Sequence, residues 1–242
     1  MNNYGLQLYS VRDITKDDFR GTLKKVADMG YKMVESAGFF GHTAAEVKNW
    51  LDEYGLTLCS THTGWNLMTD DFDATVKYHK DVGCRDLIIP GAPHGNKEEI
   101  EILVSNINKW QPILESEGIR LHYHNHHQEF IPNADGSVTM DALAEKTDVL
   151  LEIDTYWAYV AGEDPVALLD KYGDRVKFIH LKDGTKDKVG KSLGQGTAPV
   201  LQVLRKAQQT GRKIVVESEG LDPTGEEEVR RCIEFLKQVG RQ

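Results

Sequence analysis

The segment LHYHNHHQEF, residues 121–130, holds four of the chain's nine histidines and carries a carboxylate near its end. Apolar and polar residues alternate as the chain enters this segment. One row contains Ile119, Leu121 and Tyr123, and the other contains Arg120, His122, His124 and His126. Such alternation predicts a β-strand with one apolar and one polar face. Imidazole and carboxylate groups are common ligands of divalent metals and common proton carriers near neutral pH. The segment therefore predicts a polar pocket at the end of a strand, to which other strands should direct matching groups.

The composition limits the kinds of partner. The 242 residues are 40% hydrophobic and 28% charged, and the net charge is −9. A general binder of nucleic-acid backbones needs a basic face, so we expect no nucleic-acid partner. The first residues lack the basic and apolar runs of a signal peptide, and no apolar run reaches the roughly 18 residues of a membrane span. Three scattered cysteines, Cys59, Cys84 and Cys232, favour a reducing compartment. We therefore expect a cytoplasmic protein without a membrane partner.

Short apolar runs alternate with longer amphipathic segments along the whole chain. Eight such pairs of about 30 residues match the length of a (β/α)8 TIM barrel. Besides the histidine-rich segment, the predicted strands are Gly5–Ser10, Lys32–Ser36, Leu56–Thr61, Asp86–Pro90, Val149–Asp154, Val176–Leu181 and Lys213–Ser218. No low-complexity linker divides the chain, so residues 1–242 are predicted to form a single barrel domain. An open doubly wound sheet is the alternative, but it calls for a glycine-rich turn after the first strand, which Ser10-Val11-Arg12-Asp13 is not.

Ionisable residues fall on one parity near the carboxyl ends of the predicted strands. Along a barrel strand, residues alternately face the surrounding helices and the barrel interior. The polar positions on this parity include Glu35, His62, Glu152, Asp154, His180, Lys182, Glu217 and Glu219. Barrel enzymes place their chemistry at the carboxyl end of the strands. Because six strands agree in this respect, we favour a functional site over the alternative that strand ends simply become polar where they leave the core.

Residues at the ends of four strands predict a metal site. Glu129, Asp154, His180 and Glu217 come from the fifth to the eighth strand or just after them. Three carboxylates and one imidazole form a hard, anionic donor set for Mn²⁺, Mg²⁺, Co²⁺ or Zn²⁺. Without a cation the converging carboxylates would repel one another, and a divalent metal relieves that repulsion.

The sequence resembles the sugar phosphate isomerase/epimerase family of xylose isomerase-like barrels over nearly its whole length. The motifs that carry the resemblance are LQLYSVRD at 6–13, YHNH at 123–126 with Glu129-Phe130, EIDTYW at 152–157, Ala161-Gly162 with Asp164-Pro165, HLKD at 180–183 and VVE at 215–217. As a set they are specific to the family. The family includes isomerases, epimerases and the similar inosose dehydratases, so the resemblance predicts a type of chemistry and leaves the substrate open.

The resemblance implies a four-ligand metal site. Three ligands match directly, namely Asp154, His180 and Glu217. Ketose 3-epimerases of the family carry a glutamate three residues before the asparagine that matches Asn125, where this chain has His122. Glu129 is therefore the favoured fourth ligand, as in dehydratase-like members, and His122 or His124 is the alternative. A second departure, Gly194-Gln195-Gly196 where many relatives have Gly-Glu-Gly, is expected to affect a loop and not the metal.

The family chemistry implies roles for three charged residues. The metal would polarise a carbonyl of a sugar or polyol and stabilise the enediolate. Glu217 and Glu129, on opposite sides of the sugar, would remove and return protons. Lys182 would neutralise negative charge or bind a phosphate, and a salt bridge to Asp154 or Glu152 is its structural alternative.

Further residues are predicted to contact the substrate. They are His62, His124, His126, Trp157 and Glu35. Glu35 is also expected to hydrogen-bond to His62, and Glu152 is expected to pair with Arg120 or Lys182. The expected binding partner is a small-molecule sugar or polyol. A homo-oligomer is also expected to be possible, because barrels of this type often pair through their loop ends.

The leading functional hypothesis is a metal-dependent isomerase or epimerase of a sugar or sugar derivative. The first alternative is a dehydratase or lyase for a keto-sugar or inosose, in which the same enolate expels a β-leaving group. An endonuclease IV-like repair enzyme is disfavoured by the acidic charge balance. A sugar-binding relative that has lost catalysis is disfavoured by the retention of all four candidate ligands.

Overall fold

The computed structural model describes residues 3–240, which fold into a closed barrel of eight parallel strands surrounded by helices. The barrel strands are β1 (Gly5–Gln7), β2 (Met33–Ser36), β3 (Thr57–His62), β4 (Asp86–Ile89), β5 (Arg120–His124), β6 (Leu150–Asp154), β7 (Val176–Leu181) and β10 (Lys213–Val216). They follow one another in chain order around the barrel, and β10 closes on β1. A short antiparallel pair, β8 (Asp183–Gly184) and β9 (Gly190–Lys191), follows β7. The predicted (β/α)8 fold is confirmed.

The connections between strands are mainly helical. The helices are α1 (Arg12–Thr15), α2 (Phe19–Met29), α3 (Ala44–Tyr54), α4 (Trp65–Asp70), α5 (Phe72–Val82), α6 (Lys97–Ser116), α7 (Thr139–Lys146), α8 (Thr155–Ala161), α9 (Pro165–Tyr172), α10 (Val200–Gln209) and α11 (Gly225–Val239). Helix α3 shows how the sequence sets these boundaries. Thr43 and Glu46 form a capping box at its start, and Gly55 ends it in the left-handed region with φ 65°.

The first strand is shorter than the predicted Gly5–Ser10. It ends at Gln7, and the chain turns into a 3-10 helix at Leu8–Val11. The side-chain oxygen of Gln7 accepts the N–H of Tyr9 at 3.0 Å, which closes this turn. The prediction for residues 8–10 was therefore wrong because a local side-chain cap competes with the extended conformation. As a result Tyr9 lies at the carboxyl end of the barrel.

The barrel interior is layered. A small apolar cluster of Cys59, Ile88, Phe178 and Val215 is separate from the main core, which the strands build against the helices. Buried polar residues lie on either side of this cluster, toward both ends of the barrel. No helix within residues 3–240 combines the length and apolarity needed to cross a membrane.

Candidate active site

A cavity of about 550 Å³ lies at the carboxyl end of the strands. Its walls come from the loops after several strands, as is usual for barrel enzymes. The lining residues are Tyr9, Ala37, Gly38, His62, Gly64, Leu67, Pro90, His124, His126, Trp157, Glu217 and Glu219. Four of the five predicted substrate contacts, His62, His124, His126 and Trp157, are among them. The fifth, Glu35, is fully buried and does not line the cavity.

Three of the predicted metal ligands converge below this cavity. Asp154 and His180 are register partners on adjacent strands β6 and β7, and Glu217 follows β10 directly. The His180 Nδ1 atom is 3.2 Å from Glu217 Oε2 and 4.0 Å from Asp154 Oδ2. One donor atom each from His124, Asp154, His180 and Glu217 lies within 4.8 Å of the other three. These four buried residues are called the donor cluster below.

The orientation of His180 is fixed from the opposite side of its ring. Its Nε2 atom is 2.7 Å from Glu35 Oε1, so Nδ1 is directed toward Asp154 and Glu217. Strand register explains the position of Glu35, because it pairs with Gln7 of β1 and Ser60 of β3. Both neighbours donate hydrogen bonds to its carboxylate. A carboxylate behind a histidine is the usual support of a metal-binding imidazole.

A second buried carboxylate, Glu152, contacts three imidazoles. Its Oε2 atom is 2.7 Å from His62 Nε2, 3.2 Å from His124 Nδ1 and 3.3 Å from His180 Nε2. Glu35, the predicted hydrogen-bond partner of His62, lies 3.2 Å from His62 Nε2, whereas the hydrogen bond of that nitrogen goes to Glu152. Glu152 therefore links the histidines of β3, β5 and β7 into one network beneath the cavity.

The predicted pairing of Glu152 with Arg120 or Lys182 is wrong. Arg120 is the register partner of Asp86 at the amino end of the barrel and binds its carboxylate at 2.7 and 2.8 Å. His122 also bonds to Asp86, at 2.9 Å, so it lies away from the donor cluster. This removes His122 as an alternative fourth ligand.

Lys182 completes the charge balance of the site. Its Nζ atom is 3.4 Å from Glu217 Oε2 and 3.8 Å from Asp154 Oδ2, and it donates to Glu219. It also lies 4.6 Å from the ring centre of Trp157. Although burial lowers the pKa of Lys182, the surrounding carboxylates raise it, so the ammonium stays charged. The expected salt bridge to Asp154 is thus part of a wider network.

The electrostatics of the donor cluster favour a cation. Burial lowers the pKa of His180, but the neighbouring carboxylates outweigh burial and raise it well above its usual value. Burial raises the pKa of Glu217, yet Lys182 and His180 hold it well below the usual range. Burial also raises the pKa of Asp154, to about 7. Its Oδ2 atom is buried and has no hydrogen-bond partner within residues 3–240. A carboxylate that is costly to ionise and has an unused oxygen fits a divalent metal.

Glu129 lies beside the donor cluster and not in it. It sits in the 3-10 helix Gln128–Phe130, where its carboxylate accepts the backbone N–H of His126 at 2.9 Å and the hydroxyl of Tyr123 at 3.4 Å. The Nε2 atom of His94 is 3.5 Å from it. The structure groups His124 with the other three donors, and the role of Glu129 as fourth ligand and proton carrier stays a prediction.

Six lining residues were not singled out from the sequence, and Tyr9 and Leu67 are the two largest of them and are both exposed. Tyr9 was assigned to a strand, and only the 3-10 turn brings it to the cavity mouth. Leu67 lies on the short helix α4, which is not part of any predicted strand. No periodic signal identifies such positions, because each depends on the path of a connection and not on a strand.

Comparisons with known proteins agree with this architecture. The structure of a sugar phosphate isomerase/epimerase from Parabacteroides distasonis superposes with a TM-score of 0.85 at 27% identity and covers 98% of both chains. An inosose dehydratase from Geobacillus kaustophilus is 29% identical over 194 residues, 68% of this chain and 62% of the relative. The inosose dehydratase of Clostridium beijerinckii is 25% identical over 195 residues, 71% of this chain and 65% of the relative. The match thus spans less than two thirds of the length of these two enzymes.

The family match covers more of the chain than the two dehydratase alignments do. Residues 23–239 match the family described as xylose isomerase-like TIM barrel. The matched range includes nine of the ten regular barrel and hairpin strands and the complete donor cluster. The chain therefore belongs to the xylose isomerase-like TIM barrel family.

Proposed function

We propose that the protein is a divalent-metal-dependent isomerase or epimerase of a sugar or sugar derivative. The observation that carries the proposal is the donor cluster at the base of an open cavity. Asp154, His180 and Glu217 would hold the metal, and His124 or Glu129 would be the fourth ligand. When bound, Mn²⁺, Mg²⁺, Co²⁺ or Zn²⁺ supplies Lewis-acid polarisation of the substrate carbonyl.

Glu217 is the proposed base. It lines the cavity, and its low pKa keeps it ionised at neutral pH. It removes the proton from the carbon next to the carbonyl, while the ammonium of Lys182, 3.4 Å from Glu217 Oε2, offsets negative charge that develops on the substrate. Glu129 is the proposed second proton carrier. Its carboxylate is connected to the cavity through His126, whose backbone it already binds.

The histidines of the cavity orient the substrate. His62 and His126 expose part of their rings to the cavity and offer ring nitrogens to sugar hydroxyls. The ring of Trp157 supplies an apolar wall beside them. The network of Glu152 beneath His62 and His124 restricts their movement, so the substrate meets a preorganised surface.

Metal content tests the first part of the proposal. Elemental mass spectrometry of protein purified without chelator is expected to find one divalent ion per chain. Asp154→Asn and His180→Ala should lose it, whereas His122→Gln should keep it, because His122 bonds to Asp86 at the other end of the barrel. Wild-type protein that stays metal-free after soaking in Mn²⁺ or Co²⁺ would contradict the proposal.

Proton exchange tests the second part. Keto-sugars incubated with the metal-loaded enzyme in D₂O should gain deuterium next to the carbonyl, observed by NMR. Glu217→Gln should slow this exchange roughly 10²–10⁴-fold, the usual contribution of a positioned base. Exchange by the variant at the wild-type rate would remove Glu217 from this role.

A dehydratase is the second candidate, because the curated relatives named above are inosose dehydratases. Removal of the same proton would then be followed by loss of water from the β-carbon. An inosose offered as substrate distinguishes the two reactions by mass spectrometry. Loss of the mass of water establishes the dehydratase, and an isomer of unchanged mass establishes the isomerase or epimerase.

A further inference from the structure

The cavity has a base with buried titratable groups and a more exposed outer half that includes Tyr9 and Leu67. Glu217 and His124 are buried, and the other titratable lining residues, His62, His126 and Glu219, are partly exposed. The remaining lining residues are Tyr9, Ala37, Gly38, Gly64, Leu67, Pro90 and Trp157. Within residues 3–240, the lining contains neither lysine nor arginine. A phosphate group on the substrate would therefore meet no lysine or arginine in the lining, and two of the three lining histidines, His62 and His124, are already paired with Glu152.

The place where barrels commonly hold phosphate is already filled. Many barrel enzymes bind phosphate with backbone N–H groups of the loops after the seventh and eighth barrel strands. Here the carboxylate of Asp183, directly after β7, accepts four such N–H groups at 2.8–3.2 Å, from Gly184, Gly194, Gly196 and Ala198. Asp183 is buried. The protein's own anion thus occupies these donors, and a substrate phosphate cannot use them.

Three cations close in sequence to lining residues or to the loop after β7 are engaged in other contacts. Lys182 is surrounded by Asp154, Glu217 and Glu219. Arg12 donates to the backbone carbonyls of Tyr9 and Glu219, at 3.0 and 2.9 Å. Lys188 is exposed, bonds to His127 at 2.7 Å and does not line the cavity.

The outer half presents an exposed apolar pair. Tyr9 and Leu67 are each 46% exposed, although both are large apolar side chains that border the cavity. The guanidinium of Arg12 lies 4.4 Å from the centre of the Tyr9 ring and restricts its movement. A rigid aromatic ring at the mouth of a polar cavity is a suitable surface for the apolar face of another ring.

We propose that this outer half is a second subsite and that the substrate is an uncharged glycoside whose reacting ring carries a keto group, not a sugar phosphate. The reacting sugar ring occupies the charged base, and a second ring, either another sugar or an aromatic substituent, packs against Tyr9 and Leu67. The placement of the reacting ring rests on the proposed function, whereas the second subsite is inferred from the lining residues alone.

Calorimetric titration of the metal-loaded protein with matched probes tests the subsite. Phenyl β-D-glucoside should bind between about twofold and tenfold more tightly than methyl β-D-glucoside, the range expected for one aromatic contact. Glucose 6-phosphate should bind no more tightly than glucose, with inorganic phosphate measured separately to correct for direct binding to the metal. Equal affinity of the two glucosides, no binding of either, or tighter binding of glucose 6-phosphate after that correction would overturn the proposal.

Variants assign the effect to the named residues. Tyr9→Ala should abolish the preference for the phenyl glucoside, and Tyr9→Phe, which keeps the ring, should retain it. Ile102→Ala removes an equally exposed apolar side chain from α6 and should change nothing. An unchanged preference in Tyr9→Ala would refute the subsite. Phenyl preference without deuterium exchange would contradict the proposed function alone, and exchange without phenyl preference would contradict the subsite alone.

Discussion

Replacing Glu35 by glutamine should weaken metal binding without disturbing the fold. The two side chains have the same shape. With its oxygen toward His180 and Gln7, glutamine can still accept their hydrogen bonds, and its amide can donate to the hydroxyl oxygen of Ser60. What is lost is the negative charge 2.7 Å from His180 Nε2. That charge makes the imidazole a stronger ligand and fixes its orientation.

The expected magnitude follows from this arrangement. Removing the partner behind a metal-binding histidine typically lowers metal affinity 10–100-fold, which corresponds to about 1.4–2.7 kcal/mol. Glu35 is fully buried, so solvent does not compensate for the lost charge. We therefore expect Glu35→Gln to raise the dissociation constant for Co²⁺ or Mn²⁺ at least tenfold.

The assay is competition with a chelator at pH 8, followed by absorbance. Glu228→Gln is the matched control, because Glu228 is also buried and accepts hydrogen bonds from Ser192 and Ser218, but lies outside the donor cluster. Its metal affinity should stay within threefold of the wild type. A Glu35→Gln variant with unchanged affinity would refute the reasoning that His180 depends on this carboxylate.

Two further predictions concern stability. Asp86→Ala should lower the free energy of unfolding at pH 7 by about 2–3 kcal/mol, less than for a fully buried pair because Arg120 is half exposed, and lower the Tm by roughly 4–12 °C. Burial raises the pKa of Asp86, but hydrogen bonds from His122 and Arg120 outweigh burial and lower it. The stabilisation by Asp86 is therefore complete above about pH 5 and disappears in acid. An equal difference in unfolding midpoint between wild type and Asp86→Ala at pH 7 and at pH 3 would contradict this. Gly196→Ala should cost about 1–3 kcal/mol, because a Cβ there would lie 2.2 Å from Asp183 Oδ1 and 2.5 Å from a backbone nitrogen; an unchanged Tm in thermal unfolding would refute it.

The periodic features of the sequence predicted the fold well. Alternation along β5 and β6 reflects a physical requirement, since one face of each strand packs on helices and the other faces the interior. Departures occur where a side chain bonds to its own backbone. The side chain of Gln7 accepts the backbone N–H of Tyr9, and β1 ends there. The hydrophobic pattern does not predict such a contact.

The donor cluster was predictable to a similar extent. Strand parity placed Asp154, His180 and Glu217 inside the barrel at one end, and the structure brings them together. Parity does not give depth along the barrel axis. It assigned His122 and His124 to the same face, yet the first bonds to Asp86 and the second joins the donor cluster. Depth depends on the register between neighbouring strands, which a single sequence does not contain.

This separation along the axis explains how one strand serves two purposes. Two residues of a strand span about 6.6 Å, which is enough to place His122 and His124 in different layers of the interior. The apolar cluster that includes Ile88 and Phe178 occupies the interior between the two groups of charges. A layer of low polarity keeps water from the charges above it and strengthens their interactions with a bound cation. Changes at Asp86 should therefore alter stability and leave metal affinity unchanged, whereas Glu35→Gln should do the reverse, so the two variants measure independently what the two ends of the barrel contribute.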